Sequence, residues 1–163
     1  MLALPPRYAF RSSLATGGSA CVDAVFDHAR GEAVALKRPR PEAGEAARAA
    51  LAREFWALTA FAHPHLVAAH DFLTLPDGTP AFTMAWLPTP FPAGPQPEAA
   101  IRGWLPGLLD ALGALHRAGL VHGDLRAENL AFTADGACVL LDLGHLAPAG
   151  AWDGAGSLAG LTT

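Results

Sequence analysis

Five prolines fall within ten residues, "PTPFPAGPQP", positions 88–97. Proline fixes φ and has no N–H to donate, so neither a helix interior nor a central strand runs through such a stretch. The chain must therefore be built as two pieces, with this proline-dense linker as the boundary between them. The patterns on its two sides differ. In 7–38, "RYAFRSSLATGGSACVDAVFDHARGEAVALKR", Ala20, Val22, Ala24 and Phe26 recur with period two, and "DHARGE" interrupts as a turn. That is the signature of strands joined by a glycine-containing turn and then a hairpin. "EAGEAARAALAREFWALTAFA", 42–62, is rich in strong helix formers. Leu51, Phe55, Leu58 and Ala62 lie three and four apart, which predicts a helix with one apolar face, ended at His63-Pro64. "HLVAAHDFLTLPDGTPAFTMAWL" predicts two strands about a Pro-Asp-Gly turn.

Downstream of the prolines, "EAAIRGWLPGLLDALGALHRAG" predicts a helix over 98–118. Leu105, Leu108, Leu109, Leu112 and Leu115 lie on one side, and Gly119 is the stop. "LVHGDLRAENLAF", a turn at "TADG" and the apolar strand "ACVLLDLG" follow. With 163 residues the chain suits one domain, or two small lobes sharing a cleft. Trp56, Trp86 and Trp104 are expected in the core or on a cleft wall.

A net charge of −4 gives no electrostatic case for nucleic acid or for an anionic membrane. No apolar run reaches spanning length, and the N-terminus has no signal-peptide pattern. Cys21 and Cys138 are far apart and suit reduced thiols in a cytoplasmic protein. His63 and His65 flank a proline, a poor basis for a metal site.

The polar cluster is Asp124, Asn129 and Asp142. Two sit in one loop between apolar runs, and the third ends an apolar strand before Gly144. A carboxylate and an amide oxygen at such points are hard ligands suited to Mg²⁺. A second carboxylate suits activation of a hydroxyl. Lys37, ending "AVALK" in the other piece, can meet a phosphate as a point charge, with Glu54 as the acid that holds it. Together these groups describe phosphoryl transfer.

Five motifs occur in order: "VALK", "AREFWALTAFAHPHLV", "TMAWL", "HGDLRAENL" and "LLDLG". The chain resembles the eukaryotic-like serine/threonine protein kinases of bacteria. The resemblance implies an α+β fold with a β-rich N-lobe carrying one C-helix and an incomplete helical C-lobe. N-lobe and hinge would occupy 1–87, the start of the C-lobe 88–144, and a flexible, truncated activation segment 145–163. It implies ATP and Mg²⁺ as cofactors and a protein serine or threonine as substrate. Asp124 would be the catalytic base, Lys37 the phosphate-binding lysine paired with Glu54, and Arg126 the cation at the transferred phosphate. Asn129 and Asp142 would hold the metal. Gly17, Gly18, Val22, Ala35, Met84, Ala85, Trp86 and Leu87 would line the nucleotide site, with Met84 as gatekeeper and backbone groups of 85–87 meeting the adenine.

The departures carry expectations too. Ala15 and Ala20 stand where the family's glycine-rich loop has its first and third glycines, which predicts looser phosphate cradling. Gly123 replaces the arginine that reads phosphorylation of the activation segment, so no such switch is expected. A complete domain of this family has about 250 residues; on that measure the C-lobe is truncated, with "GSLAGLTT" near the substrate-docking loop. The leucine face of the 98–118 helix would then be partly uncovered and open to self-association. Alone, Lys37 would read as a solvated strand-end lysine, Glu54 as a surface glutamate, and Asp124 with Asn129 as a self-bonded turn. Two other functions fit parts of the pattern. One is a small-molecule phosphotransferase of the aminoglycoside or choline type, suggested by "HGD". The other is a nucleotide-binding interaction module without turnover.

Overall fold

The computed structural model describes residues 2–151. They form two compact units. One holds the residues up to Ala60 together with Ala68–Trp86; the other holds Phe61–Val67 and the residues from Leu87 on. The expected flexible segment 145–163 therefore lies mostly outside the described residues, as does "GSLAGLTT".

The first unit is a five-stranded antiparallel sheet with one helix. Its strands are β1 (Tyr8–Thr16), β2 (Ala20–Asp27), β3 (Glu32–Pro39), β4 (Ala69–Thr74) and β5 (Pro80–Ala85), in the order β1-β2-β3-β5-β4. The predicted turns form for local reasons. Asp27 accepts from the amides of Ala29 and Arg30, and Gly31 takes φ +74°. Asp77 accepts from the Thr79 amide beside Gly78 at φ +83°. Side chains alternate across a strand, so β3 sends Val34 and Leu36 to one face and Ala35 and Lys37 to the other. The first face packs with Tyr8, Val25, Leu75 and Ala81. The second carries α1 (Glu45–Ala60), whose Phe55 ring lies 5.7 Å from that of Phe82. Leu51, Glu54, Phe55 and Leu58 are the buried side chains of α1. Trp56 is not in the core: it is 66% exposed, because it falls on the opposite side of the helix from Leu51, Leu58 and Glu54. Arg7 ties the start of the chain to the sheet through both oxygens of the fully buried Asp27 carboxylate, at 2.8 and 2.7 Å.

The second unit is organised by α2 (Glu98–Arg117), which buries Leu108, Ala111 and Leu115 and continues through Pro106. Leu109 is 56% exposed, so the leucine stripe is split: its core line runs through 108, 111 and 115. Gly119, at φ +74°, ends the helix. Short strands follow: β6 (Thr89–Pro90), β7 (Leu120–Val121), β8 (Leu130–Phe132), β9 (Cys138–Leu140) and β10 (Ala147–Pro148). They pair as β6-β8-β9 and as β10-β7. The proline run is therefore ordered, not an open linker. Thr89 and Pro90 pair with Phe132 and Ala131, and Phe91 stacks on Phe132 with Trp104 edge-on. Gln96 donates to the carbonyls of Pro92 and Gly94, with Gly94 at φ +82°.

Phe61–Val67 belongs here because of what its backbone bonds. Val67 N donates to Leu140 O, Leu140 N to His65 O, and the His65 ring to Cys138 O at 2.7 Å. The His65 imidazole in turn occupies the space where Gly107 lacks a Cβ. Among the described residues no helix is long and apolar enough to cross a membrane.

Candidate active site

In the first unit, the ladder that aligns β2, β3 and β5 sets Val22 opposite Lys37, Ala35 opposite Met84, and Lys37 opposite Phe82. Directly opposed residues share a face. Val22, Ala35, Lys37 and Met84 thus form one patch, on the face that carries α1. Lys37 and Glu54 are both buried there, with Nζ 2.6 Å from Oε1. The helix register that buries Leu51 and Leu58 also brings Glu54 inward, one turn from each. Gly17 and Gly18 lie in the β1–β2 connection, where Gly17 N donates to Ala20 O at 2.8 Å. Positive φ occurs only at glycines among the described residues, and neither Gly17 nor Gly18 has it. Alanine at 15 and 20 therefore costs this loop no backbone strain. The Ala85 amide is committed to Ala68 O at 2.9 Å, so that N–H is spent inside the sheet. Trp86 is 37% exposed at the end of the first unit, and Leu87 falls in the second.

In the second unit, residues 122–129 are held by side chain to backbone bonds. His122 is buried; its Nδ1 accepts from the Asp124 amide at 3.2 Å, so Nε2–H donates to the Asp142 carbonyl at 2.6 Å. Burial lowers the His122 pKa below the ordinary 6.5, which favours this neutral tautomer. The ring joins the loop that carries Asp124 to the strand end that carries Asp142. Asn129 Nδ2 donates to Asp124 O at 2.8 Å and to Asp124 Oδ2 at 3.2 Å. Arg126 Nε lies 3.3 Å from the same Oδ2. β8 and β9 pair Leu130 with Leu140, and Leu141 N donates to Asn129 O, which places Asn129 and Asp142 at one end of that ribbon. Asp142 Oδ1 accepts from the Gly144 amide at 2.7 Å.

Two hard oxygen donors thus stand at the ribbon's end: the Asn129 amide oxygen, whose amino group is already engaged, and the Asp142 carboxylate. Among the described residues no three His, Cys, Asp or Glu side chains gather as a metal cage. A sparse oxygen set of this kind fits a hard divalent cation that keeps waters or phosphate oxygens as its other ligands.

Sequence reasoning missed the steric role of Gly123. Its φ is +79°, and a Cβ there would lie 2.5 Å from the carbonyl oxygen of His145. The segment after Asp142 folds back at this point. Ala147 pairs with Val121, and Ala149 N donates to Gly119 O at 2.8 Å. The glycine itself was visible; its neighbour, 22 positions on, was not. Also missed was Asp27, whose carboxyl is held down at about 2 by the Arg7 guanidinium.

Comparison with known proteins agrees with this geometry. The family model described as the protein kinase domain matches residues 8–151. Serine/threonine-protein kinase AfsK of Streptomyces coelicolor is 33% identical over 125 residues, covering 69% of this chain and 15% of that protein. Serine/threonine-protein kinase PknL of Mycobacterium tuberculosis is 45% identical over 51 residues, covering 31% of this chain and 13% of that protein. The chain thus spans only a small part of the length of the curated relatives it matches. With the family match running from β1 to beyond β10, the chain belongs to the protein kinase domain family, as a serine/threonine protein kinase-like domain of the bacterial type.

Proposed function

We propose that the chain is an ATP- and Mg²⁺-dependent phosphotransferase acting on serine or threonine hydroxyls of a protein, in the cytoplasm. The observation that carries this is the Lys37–Glu54 pair, 2.6 Å apart with both side chains buried. Burying two charges costs several kcal/mol per ion by general estimates, and apolar replacements are often as stable. Its retention supports a lysine held in place for a ligand's phosphates.

Lys37, fixed by Glu54, would hold the α- and β-phosphates of ATP, and Asn129 and Asp142 would hold Mg²⁺. When bound, these cofactors supply the γ-phosphoryl group and neutralise its charge. Asp124 keeps Oδ2 against Asn129 and Arg126, which leaves Oδ1 to accept the proton of the attacking hydroxyl. Arg126, as a guanidinium, stays charged at any working pH and faces the charge of the transferred group. The net charge of −4 supports a protein partner over nucleic acid or a membrane surface. The free, buried Cys21 and Cys138 support a reducing compartment. Leu109, exposed on α2, is the centre through which two copies would associate.

A thermal-shift titration with ATP, with and without Mg²⁺, tests the reading on this chain, Asp142→Ala and Asp124→Ala. A ligand that binds only the folded state raises Tm by mass action. The expected result is a Mg²⁺-dependent rise that Asp142→Ala abolishes and Asp124→Ala keeps, with phosphate transfer to a serine/threonine peptide lost in both. No rise with the folded wild-type chain refutes the proposal.

A further inference from the structure

The β1–β2 connection, Gly17 to Ser19, is a short loop in which two glycines leave the peptide planes free to turn. A Cβ at Gly18 would meet nothing within 4 Å, so side-chain packing does not restrain it. Glycine unrestrained in this way loses the most entropy when ordered. Something else has to hold the loop if its amides are to face a ligand.

The restraint comes from beyond β3. The β2–β3 ladder ends at Ala20 opposite Pro39, yet the next residue, Arg40, continues it: Arg40 N donates to Ser19 O at 3.0 Å. The Arg40 guanidinium then reaches the loop itself, with Nη1 3.4 Å from Gly17 O. Its other terminal nitrogen lies 3.4 Å from Glu42 Oε1, which sets the plane of the fork. Gly18, Arg40, Glu42 and Ala43 line a shallow concavity of about 220 Å³ beside the loop.

In a trans peptide the C=O and the following N–H point in opposite directions. Turning Gly17 O toward Arg40 therefore turns the Gly18 N–H away from it. Among the described residues no acceptor takes the Gly18 or Ser19 amide. The Gly17 and Ser19 carbonyls are claimed, and the Gly18 and Ser19 amides are unclaimed donors. Successive backbone N–H groups presented this way bind anions.

We propose that Arg40 is a positioning residue for nucleotide phosphates: its guanidinium clamps the Gly17 carbonyl so that the Gly18 amide faces the ligand. Arg40 touches the loop and not the nucleotide, and it supplies the ordering that the two unrestrained glycines lack. This rests on the nucleotide-binding reading above.

The test is the dissociation constants of ATP, ADP and adenosine for the wild-type chain, Arg40→Ala and Arg40→Lys, with amide hydrogen exchange at Gly17–Ala20. The one side-chain hydrogen bond lost, to Gly17 O, predicts ATP and ADP binding weakened about three- to tenfold in Arg40→Ala, which keeps the backbone bond to Ser19 O. Adenosine binding stays within about twofold, because it has no phosphate for the clamp to serve. Arg40→Lys, which keeps the stem and the charge but loses the fork, falls between. Exchange at Gly17, whose N–H is held by Ala20 O, speeds up in Arg40→Ala without any nucleotide present. Unchanged ATP affinity, unchanged exchange, or a parallel loss of adenosine binding overturns the clamp while leaving the nucleotide reading intact. A folded wild-type chain that binds none of the three ligands overturns both.

Discussion

Replacing Gly123 by alanine tests whether the fold depends on a missing side chain at that point. Two costs add. The backbone sits at φ +79°, a region that costs a non-glycine residue about 1–2 kcal/mol. The new Cβ would also lie 2.5 Å from His145 O, a backbone atom that cannot rotate aside. Forcing an extra methyl into a packed site costs about 1–3 kcal/mol. The sum, about 2–5 kcal/mol, is a large part of an ordinary domain stability of roughly 5–15 kcal/mol. Gly119 is the control: it lies in the same unit at φ +74°, with nothing within 4 Å of its added Cβ. Gly119→Ala should therefore show the backbone cost alone. Gly123→Asn should recover part of the backbone cost, since asparagine tolerates this region, but none of the overlap. Urea denaturation of the wild-type chain and the three variants gives each difference. Gly123→Ala costing no more than Gly119→Ala would refute the closure of the 144–149 segment on the loop at 122–129. Restoring the family's arginine at 123 meets the same two costs.

Two further outcomes follow. Lys37→Met, which leaves Glu54 without its lysine, should destabilise by about 3–5 kcal/mol. Lys37→Met with Glu54→Leu should regain most of that by denaturant midpoint while phosphate transfer stays absent. The pH dependence of stability should fall in two stages on acidification. His70 and His122 are held below the ordinary 6.5, chiefly by burial, so the unfolded chain takes up those protons first, and stability declines as pH drops below about 6.5. Asp27 is held below its ordinary 3.8, at about 2, by the Arg7 guanidinium, so its contribution is complete above about 4 and is lost between 4 and 2. Asp27→Asn should shrink the lower stage, to which Asp77 and Asp135 also contribute; an unchanged profile would contradict the pairing.

What could be read from the sequence was what neighbours in the sequence decide. The period of two in β2, the spacing of Leu51, Phe55 and Leu58, and the turns at Asp27 and Asp77 all rest on residues a few positions apart. The order of the proline run was not legible, because it comes from pairing with Phe132 and Ala131 and from Phe91 stacking on Phe132 with Trp104 edge-on. Trp56 was expected in the core or on a cleft wall, but the helix register that buries Leu51 and Leu58 keeps it out of the core. Lys37 and Glu54 were recognisable from their motifs, and their distance was not, since it depends on how α1 lies on the sheet. Gly123 stood in plain view as an odd residue in a motif. Its reason lay in a carbonyl at 145 that no local pattern announces.

The placement of Phe61–Val67 has a consequence for how the chain is made. These residues leave the ribosome between α1 and β4, long before their partners. Val67 and His65 bond to Cys138 and Leu140, which are translated about 70 residues later. At roughly 5–20 residues per second, the interval is about 4–15 seconds. The first sheet can form during that time, but Val67 N and His65 O have no native partner until β9 emerges. A nascent chain arrested before residue 138 should thus carry a finished sheet and a 61–67 segment with unsatisfied backbone groups, a species ready to pair with a second copy or a chaperone.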